Sequence, residues 1–212
     1  MITAIGDVMR ECYKRGWITT RDGNCSLRKS GDNKIYITPS GVRKNLIYPE
    51  FVQSLRILED GSLAVPRAEN PSGELEMHWQ LLKNAPKTRC VLHVHSTNIV
   101  AAMYAGWDLK SMSDQFPEIY RYTCVGPNVP VLPAVSQALA DSTSQALGLC
   151  NGKLEYDVVG QGNHGVCAVG KNPWHAFEHI ERLEHICQIV LNSGVRPSIV
   201  NTMSRPTVIN QM

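Results

Sequence analysis

The chain has 212 residues, 43% of them hydrophobic and 19% charged, which is enough to bury one substantial core. We therefore expect a single domain over residues 1–212, with residues 192–212 as an extended or subunit-contacting tail. The net charge of +2 is too small, and the basic residues too scattered, for a nucleic-acid-binding protein, and no apolar run approaches the roughly 20 residues that cross a membrane.

Apolar residues at helical spacing predict an N-terminal amphipathic helix over about residues 3–15, ending at Gly16. Two hairpins are predicted next, from strands at 25–29 and 34–38 and at 52–58 and 62–65. Helices are predicted over 74–83, 96–104, 133–147 and 173–191, and strands over 90–95, 156–160 and 166–170. Hairpins mixed with helices favour an α/β layered domain with a largely antiparallel sheet.

Two histidines, His93 and His95, stand two residues apart in an apolar, β-branched run. Alternate residues of a strand point to the same face, so both imidazoles are expected on one side of the sheet. A buried imidazole needs a partner, and a divalent metal, above all zinc, satisfies two convergent rings. The alternative is a pair of hydrogen-bonded core histidines.

Further metal donors occur elsewhere in the chain. His164 lies on a connection bounded by Gly162 and Gly165, whose backbone freedom would help to aim one side chain. Glu74 is expected in the first turn of its helix, with Ser72 as a candidate N-cap. Three histidines and one carboxylate suit zinc, although Glu74 alone would be read as a solvated surface charge.

The remaining histidines are interpreted structurally. His78 lies one helical turn after Glu74 and is expected to be a packing or hydrogen-bonded neighbour, outside the ligand set. His175 and His179 have a spacing that could bind metal. Together with His185, they are better explained by a solvated or subunit-facing side of the last helix.

Three loops could hold an anion. They are the segments around Gly23 and Asn24, around Ser40 and Gly41, and at the helix start near Ser72. Their amides, hydroxyls and amide side chain could form a phosphate nest, although each loop alone could be an ordinary turn.

The cysteines indicate the compartment. There are seven, scattered without a Cys-x-x-Cys spacing, and the N-terminus lacks a charged and then apolar leader. We expect free thiols and a cytoplasmic protein.

Five short motifs occur in chain order and at suitable separations. They are Gly23-Asn24-x-Ser26, Thr38-Pro39-Ser40-Gly41, Pro71-Ser72-Gly73-Glu74, His93-x-His95 and Gly162-Asn163-His164-Gly165. Together they resemble the class II aldolase/adducin family over about residues 3–191. The resemblance implies a three-layer α/β/α sandwich with a central, largely antiparallel sheet. It also implies a homotetramer with active sites between subunits.

The resemblance also implies roles for individual residues. His93, His95 and His164 match the ligands of one zinc ion per subunit. Glu74 matches the carboxylate that binds zinc in the resting enzyme and acts as acid and base once substrate binds. The positions that match the substrate phosphate site are Gly23, Asn24, Ser40, Gly41, Ser72 and Gly73.

The function implied is a zinc-dependent class II aldolase that cleaves or forms a carbon-carbon bond in a small ketose phosphate through a metal-stabilised enediolate. This chain departs from the aldolase pattern at three places. Gly73 replaces a second serine, Met112 to Pro117 lacks the fuculose-type tyrosine, and Val195 to Met212 lacks a tail tyrosine. A dehydratase of the methylthioribulose-phosphate type, a decarboxylase or a 4-epimerase therefore stays open, as does a non-catalytic adducin-like scaffold.

Overall fold

A computed structural model describes residues 2–197. Its seven helices are α1 (Ile2–Lys14), α2 (Leu75–Asn84), α3 (Thr97–Tyr104), α4 (Leu109–Ser113), α5 (Pro117–Tyr120), α6 (Gln137–Ala146) and α7 (Pro173–Asn192). Its seven strands are β1 (Asn24–Leu27), β2 (Lys34–Ile37), β3 (Gln53–Ile57), β4 (Leu63–Ala64), β5 (Cys90–Val94), β6 (Val158–Gln161) and β7 (Gly165–Gly170). Most of the predicted tail lies outside the described residues.

The strands form one sheet in the order β4-β3-β2-β1-β5-β7-β6, and every neighbouring pair is antiparallel. One apolar core lies between the sheet and α1, α3 and α7, and a second lies between the opposite face and α2 and α6. The predicted three-layer α/β/α sandwich with an antiparallel sheet is therefore confirmed.

Strand β5 is central to this arrangement because both cores depend on it. Cys90, Leu92 and Val94 face the α1/α3/α7 side, while Val91 faces the α2/α6 side. By the period of two, His93 shares the face of Val91, under α2. The strand is buried along its whole length, so a polar side chain there needs a partner.

Two helix starts differ in detail from their predictions. Helix α2 begins at Leu75, with Glu74 as its N-cap residue instead of in its first turn, and no side chain caps this end. The Ser72 hydroxyl accepts a hydrogen bond from the Glu74 amide at 3.3 Å. This bond lies before the first helical residue, so Ser72 is not the N-cap. Helix α6 begins at Gln137 and not at Pro133. Val135 has a φ of 61°, which lies outside the right-handed helical region, so the helix cannot extend back through it.

The last helix also differs from its prediction. Of its three histidines, His179 is buried, His175 is half-buried and only His185 is exposed, and Glu184 is buried as well. The His179 ring bonds the Thr123 hydroxyl at 2.8 Å, and Glu184 accepts two backbone amides at the start of α3. This side of α7 therefore packs within the fold.

None of the helices between residues 2 and 197 is long and apolar enough to span a bilayer.

Candidate metal centre

The site lies where β5 ends and β1 and β7 begin, beneath the start of α2. The register places Asn24 of β1 opposite His93 of β5, so their side chains share a face of the sheet. His95 follows directly after β5. His164 lies in the tight connection between β6 and β7, where its amide bonds the Gln161 carbonyl at 3.0 Å.

The glycines beside His164 serve a different purpose from the one predicted. Among residues 162–165 the positive φ belongs to Asn163, at 53°. Gly165 is needed for space: a Cβ there would lie 2.5 Å from the Val94 carbonyl oxygen and within 3 Å of the rings of His93 and His95. Only glycine lets β7 approach these rings so closely.

The three imidazoles converge. Each pair of ring centroids among His93, His95 and His164 is 4.9 Å apart. The Nε2 atoms of His93 and His95 are 3.0 Å apart, and one nitrogen from each of the three rings lies within 4.8 Å of the others. This spacing is close to that of nitrogens sharing one ion at about 2.1 Å.

Glu74 reaches the same point from the helical layer. Its Oε2 lies 3.3 Å from Nε2 of His93, and its Oε1 lies 3.9 Å from Nε2 of His164. Oε1 is buried and has no hydrogen-bond partner among the described residues. A buried carboxylate oxygen without a donor, facing imidazole nitrogens, suits a site completed by a cation.

The protonation states suit a metal as well. Burial lowers the pKa of all three imidazoles, to about 4 for His95, so the rings are neutral near pH 7. Burial alone would raise the pKa of Glu74, but the His93 ring and a hydrogen bond from Asn24 hold it below its usual value. Neutral imidazole and ionised carboxylate are the forms that bind metals. Three nitrogens and one oxygen could therefore hold a divalent ion such as zinc.

A chain of buried hydrogen bonds lies behind Glu74. The Asn24 amide nitrogen donates to Glu74 Oε2 at 2.9 Å, and its Oδ1 bonds Nε2 of His78. The other ring nitrogen of His78 lies 2.6 Å from the Ser26 hydroxyl. Burial lowers the pKa of His78 to about 3, so this ring is neutral. The prediction that His78 is a hydrogen-bonded neighbour is confirmed.

The three predicted anion loops meet beside these residues. The Ser72 amide bonds the Thr38 carbonyl at 3.1 Å, and the Ser40 amide bonds the Asn70 carbonyl at 2.8 Å, so the two loops run side by side. Gly23 packs against the backbone of His93. The Asn24 side chain, however, is already bonded to Glu74 and His78.

Sequence reasoning missed two residues at the site. A carboxylate oxygen of Asp22 lies 3.9 Å from Nδ1 of His95. Asn24 pairs with His93 in the β1 to β5 register, and extending that register by two residues sets Asp22 opposite His95. Val135 packs on Gly73, and a Cβ at Gly73 would lie 3.3 Å from its Cγ1. No local pattern could have indicated that contact, since the residues are 62 positions apart.

Comparisons with known proteins point to one family. The family described as "Class II Aldolase and Adducin N-terminal domain" matches residues 3–191. The chain is similar to an L-fuculose phosphate aldolase of Methanococcus maripaludis, at 25% identity over 89% of this chain and 94% of that one. It is similar to a methylthioribulose-1-phosphate dehydratase of Yersinia pestis, at 27% identity over 88% and 86%.

A solved structure shares the fold. The sugar-phosphate aldolase from Thermotoga maritima superposes with a TM-score of 0.74, at 22% identity, over 92% of this chain and 97% of that one.

Proposed function

We propose that this chain, which belongs to the class II aldolase and adducin family, is a zinc-dependent lyase that acts on a small ketose phosphate. The observation that carries the proposal is the convergence of three imidazoles and a carboxylate on one point. An adducin-like scaffold would have no need of that convergence. We expect one domain that binds one zinc ion through His93, His95 and His164, and through Glu74 until substrate binds.

When bound, the ion would act as a Lewis acid that polarises a substrate carbonyl. The chain's own contribution to the chemistry is Glu74. Its Oε1 faces the centre of the site without a hydrogen bond from the described residues, so it can accept or deliver a proton at the substrate carbon. Asn24 holds the other oxygen, which limits the carboxylate to a small range of positions.

The loops around Ser40 and Ser72 supply orientation. Their paired backbones bring Ser40, Gly41, Ser72 and Gly73 together, and Gly23 lies against the backbone of His93 nearby. Backbone amides and hydroxyls in such loops suit a phosphate group. Asn24 contributes chiefly through Glu74, because both ends of its side-chain amide are occupied.

Carbon-carbon cleavage is the first candidate reaction, as in the fuculose-phosphate aldolase relative. Dehydration is the second candidate, because a methylthioribulose-phosphate dehydratase is equally similar over a comparable length. The three departures from the aldolase pattern, at Gly73, residues 112–117 and the tail, also favour a reaction that does not need those hydroxyls. Decarboxylation and 4-epimerisation would use the same metal and carboxylate.

We further propose a homotetramer whose active sites lie between subunits. Gly41 is exposed and a Cβ there would meet nothing within 4 Å, which leaves room for side chains from a neighbouring copy. The protein is expected in the cytoplasm, in keeping with the seven free thiols. Size-exclusion chromatography with light scattering tests the tetramer, and a monomer at working concentration would contradict it.

The zinc-loaded protein should be incubated with dihydroxyacetone phosphate and a panel of short aldehydes, and in parallel with ketose 1-phosphates. Formation of a new ketose phosphate supports the aldolase, and loss of one water from the ketose phosphates supports the dehydratase. A matched sample stripped with a chelator should be inactive and should recover with zinc. Absence of every reaction in the zinc-replete protein would contradict the lyase proposal.

A further inference from the structure

We propose that His78 is a positioning residue that fixes the orientation of the Asn24 side-chain amide and thereby holds the Glu74 carboxylate at the candidate metal centre. The inference rests on the proposed function. It concerns a residue outside the ligand set, joined to that set by a short chain of hydrogen bonds.

His78 is placed for this role by helix α2. It follows Glu74 by four residues, so both side chains leave the same face of the helix toward the sheet. The ring is 0% exposed, and both of its nitrogens are bonded: Nδ1 to the Ser26 hydroxyl at 2.6 Å, and Nε2 to Oδ1 of Asn24. Both buried ring nitrogens are therefore satisfied by residues of β1, which ties the ring to the Asn24 side chain.

The hydrogen bonds admit one arrangement of protons. The ionised Glu74 carboxylate only accepts, so Asn24 must turn its NH₂ group toward it, and the distance is 2.9 Å. The Asn24 oxygen then faces Nε2 of His78, which must carry the proton. A neutral ring leaves Nδ1 as an acceptor for the Ser26 hydroxyl proton. Every donor in the chain therefore points toward Glu74.

His78 is the second anchor of the Asn24 amide. The carboxylate selects the amide nitrogen, and the His78 N–H holds the amide oxygen at the other end, so the amide cannot turn away without losing two buried hydrogen bonds. In the present arrangement Oε2 is held by Asn24 and Oε1 is left without a donor from the described residues. By holding Asn24 in place, His78 helps to keep Oε2 engaged and Oε1 open.

Two substitutions separate this role from packing. His78→Gln keeps an N–H that can reach Asn24, whereas His78→Leu keeps comparable volume without a donor. Loss of such a supporting hydrogen bond costs about 10- to 100-fold in activity. We expect His78→Leu to lower kcat by about that factor with KM nearly unchanged, and His78→Gln to restore most of it.

A second readout does not depend on turnover. The zinc should be exchanged for cobalt(II), whose visible absorption reports the ligands around it. We expect one cobalt per chain in all variants, an altered spectrum in His78→Leu, and a spectrum close to wild type in His78→Gln. Ser26→Ala, a smaller change, should shift the spectrum in the same direction as His78→Leu, and it decides the matter if His78→Leu does not fold.

The outcomes distinguish the two proposals. Wild-type protein that neither binds cobalt nor turns over would overturn the proposed function and this inference with it. Active wild type with a His78→Leu variant that matches it in kcat and in cobalt spectrum would overturn the role of His78 alone. Equal losses in the leucine and glutamine variants would also overturn it, because packing would then be the cause.

Discussion

Oε2 of Glu74 lies 3.3 Å from Nε2 of His93, although the two residues belong to different layers of the fold. His93 is fixed by the register of β5, and Glu74 by the packing of α2 on the sheet. The candidate proton carrier and the candidate ligands therefore meet only in the folded protein. Because Glu74 and the histidines come from different elements, they can be substituted independently. Proton transfer and metal binding can therefore be tested separately.

Replacing Glu74 should remove turnover and leave the metal in place. Glu74→Gln cannot carry the proton, so we expect kcat to fall by about 10²- to 10⁴-fold. Three histidines remain, so zinc content should stay near one per chain. Steady-state kinetics and metal analysis on the same sample check this, with the exposed Glu76→Gln as the control. Full activity in Glu74→Gln would exclude the assigned role.

Val135 should carry backbone strain. Its φ of 61° is costly for a β-branched side chain, which is 62% exposed and has little packing to lose. Val135→Gly should therefore raise the free energy of unfolding by about 1 kcal/mol. Asn151→Gly, at φ 49°, is the control, because asparagine tolerates this region. Urea denaturation that shows Val135→Gly to be the less stable variant would refute the strain.

Glu184 should be a structural carboxylate. It accepts the backbone amides of Asn98 and Ile99, at 3.1 and 2.9 Å, and so caps the first turn of α3. Glu184→Ala leaves these buried donors unpaired and should cost about 1–3 kcal/mol. Glu178→Ala, which removes an exposed partner of Arg182, should cost under about 1 kcal/mol. Equal losses in thermal unfolding would contradict the assignment.

Lys44 should make stability depend on alkaline pH. Burial lowers its pKa from 10.5 to about 8, and its ammonium donates to the Pro39 carbonyl at 2.9 Å. Below pH 8 both folded and unfolded chains carry the proton, so the buried charge opposes folding in full. Between pH 8 and 10.5 the folded chain releases the proton first, and stability rises with pH.

The Lys44→Met variant isolates this effect. The wild type should gain about 2 kcal/mol relative to Lys44→Met between pH 7 and pH 10. Denaturant titrations at both pH values measure the difference, and Lys34→Met, at an exposed position, corrects for general alkaline effects. If the difference in free energy of unfolding between wild type and Lys44→Met is the same at both pH values, Lys44 is not buried as a cation.

The parts of the fold that sequence could predict are those governed by local periodicity. The period of two in β5 placed His93 and His95 together, and the 3.6-residue period found α1 and α7 within one or two residues. Helices α4 and α5 were not predicted because five and four residues are too few to show a period. The predicted start of α6 was too early. Val135 has a positive φ and contacts Gly73, and neither feature can be read from the local sequence.

The site divides in the same way. Its four convergent side chains stand in recognisable motifs, but their distances depend on how α2 and the β6–β7 connection pack against β5. Asp22 and the Ser26–His78–Asn24 chain depend on the β1 to β5 register and on burial, neither of which a single sequence reveals. Polar residues in such chains look like ordinary core neighbours until their partners are seen.

The metal content of the purified protein tests the account most directly. After growth with ample zinc and dialysis against metal-free buffer, we predict one zinc ion per chain in the wild type. We also predict none in His164→Ala, and one in the control His185→Ala, which changes an exposed histidine of α7. Wild-type protein that stays folded and binds no zinc, or a His164→Ala variant that retains it, would contradict the account.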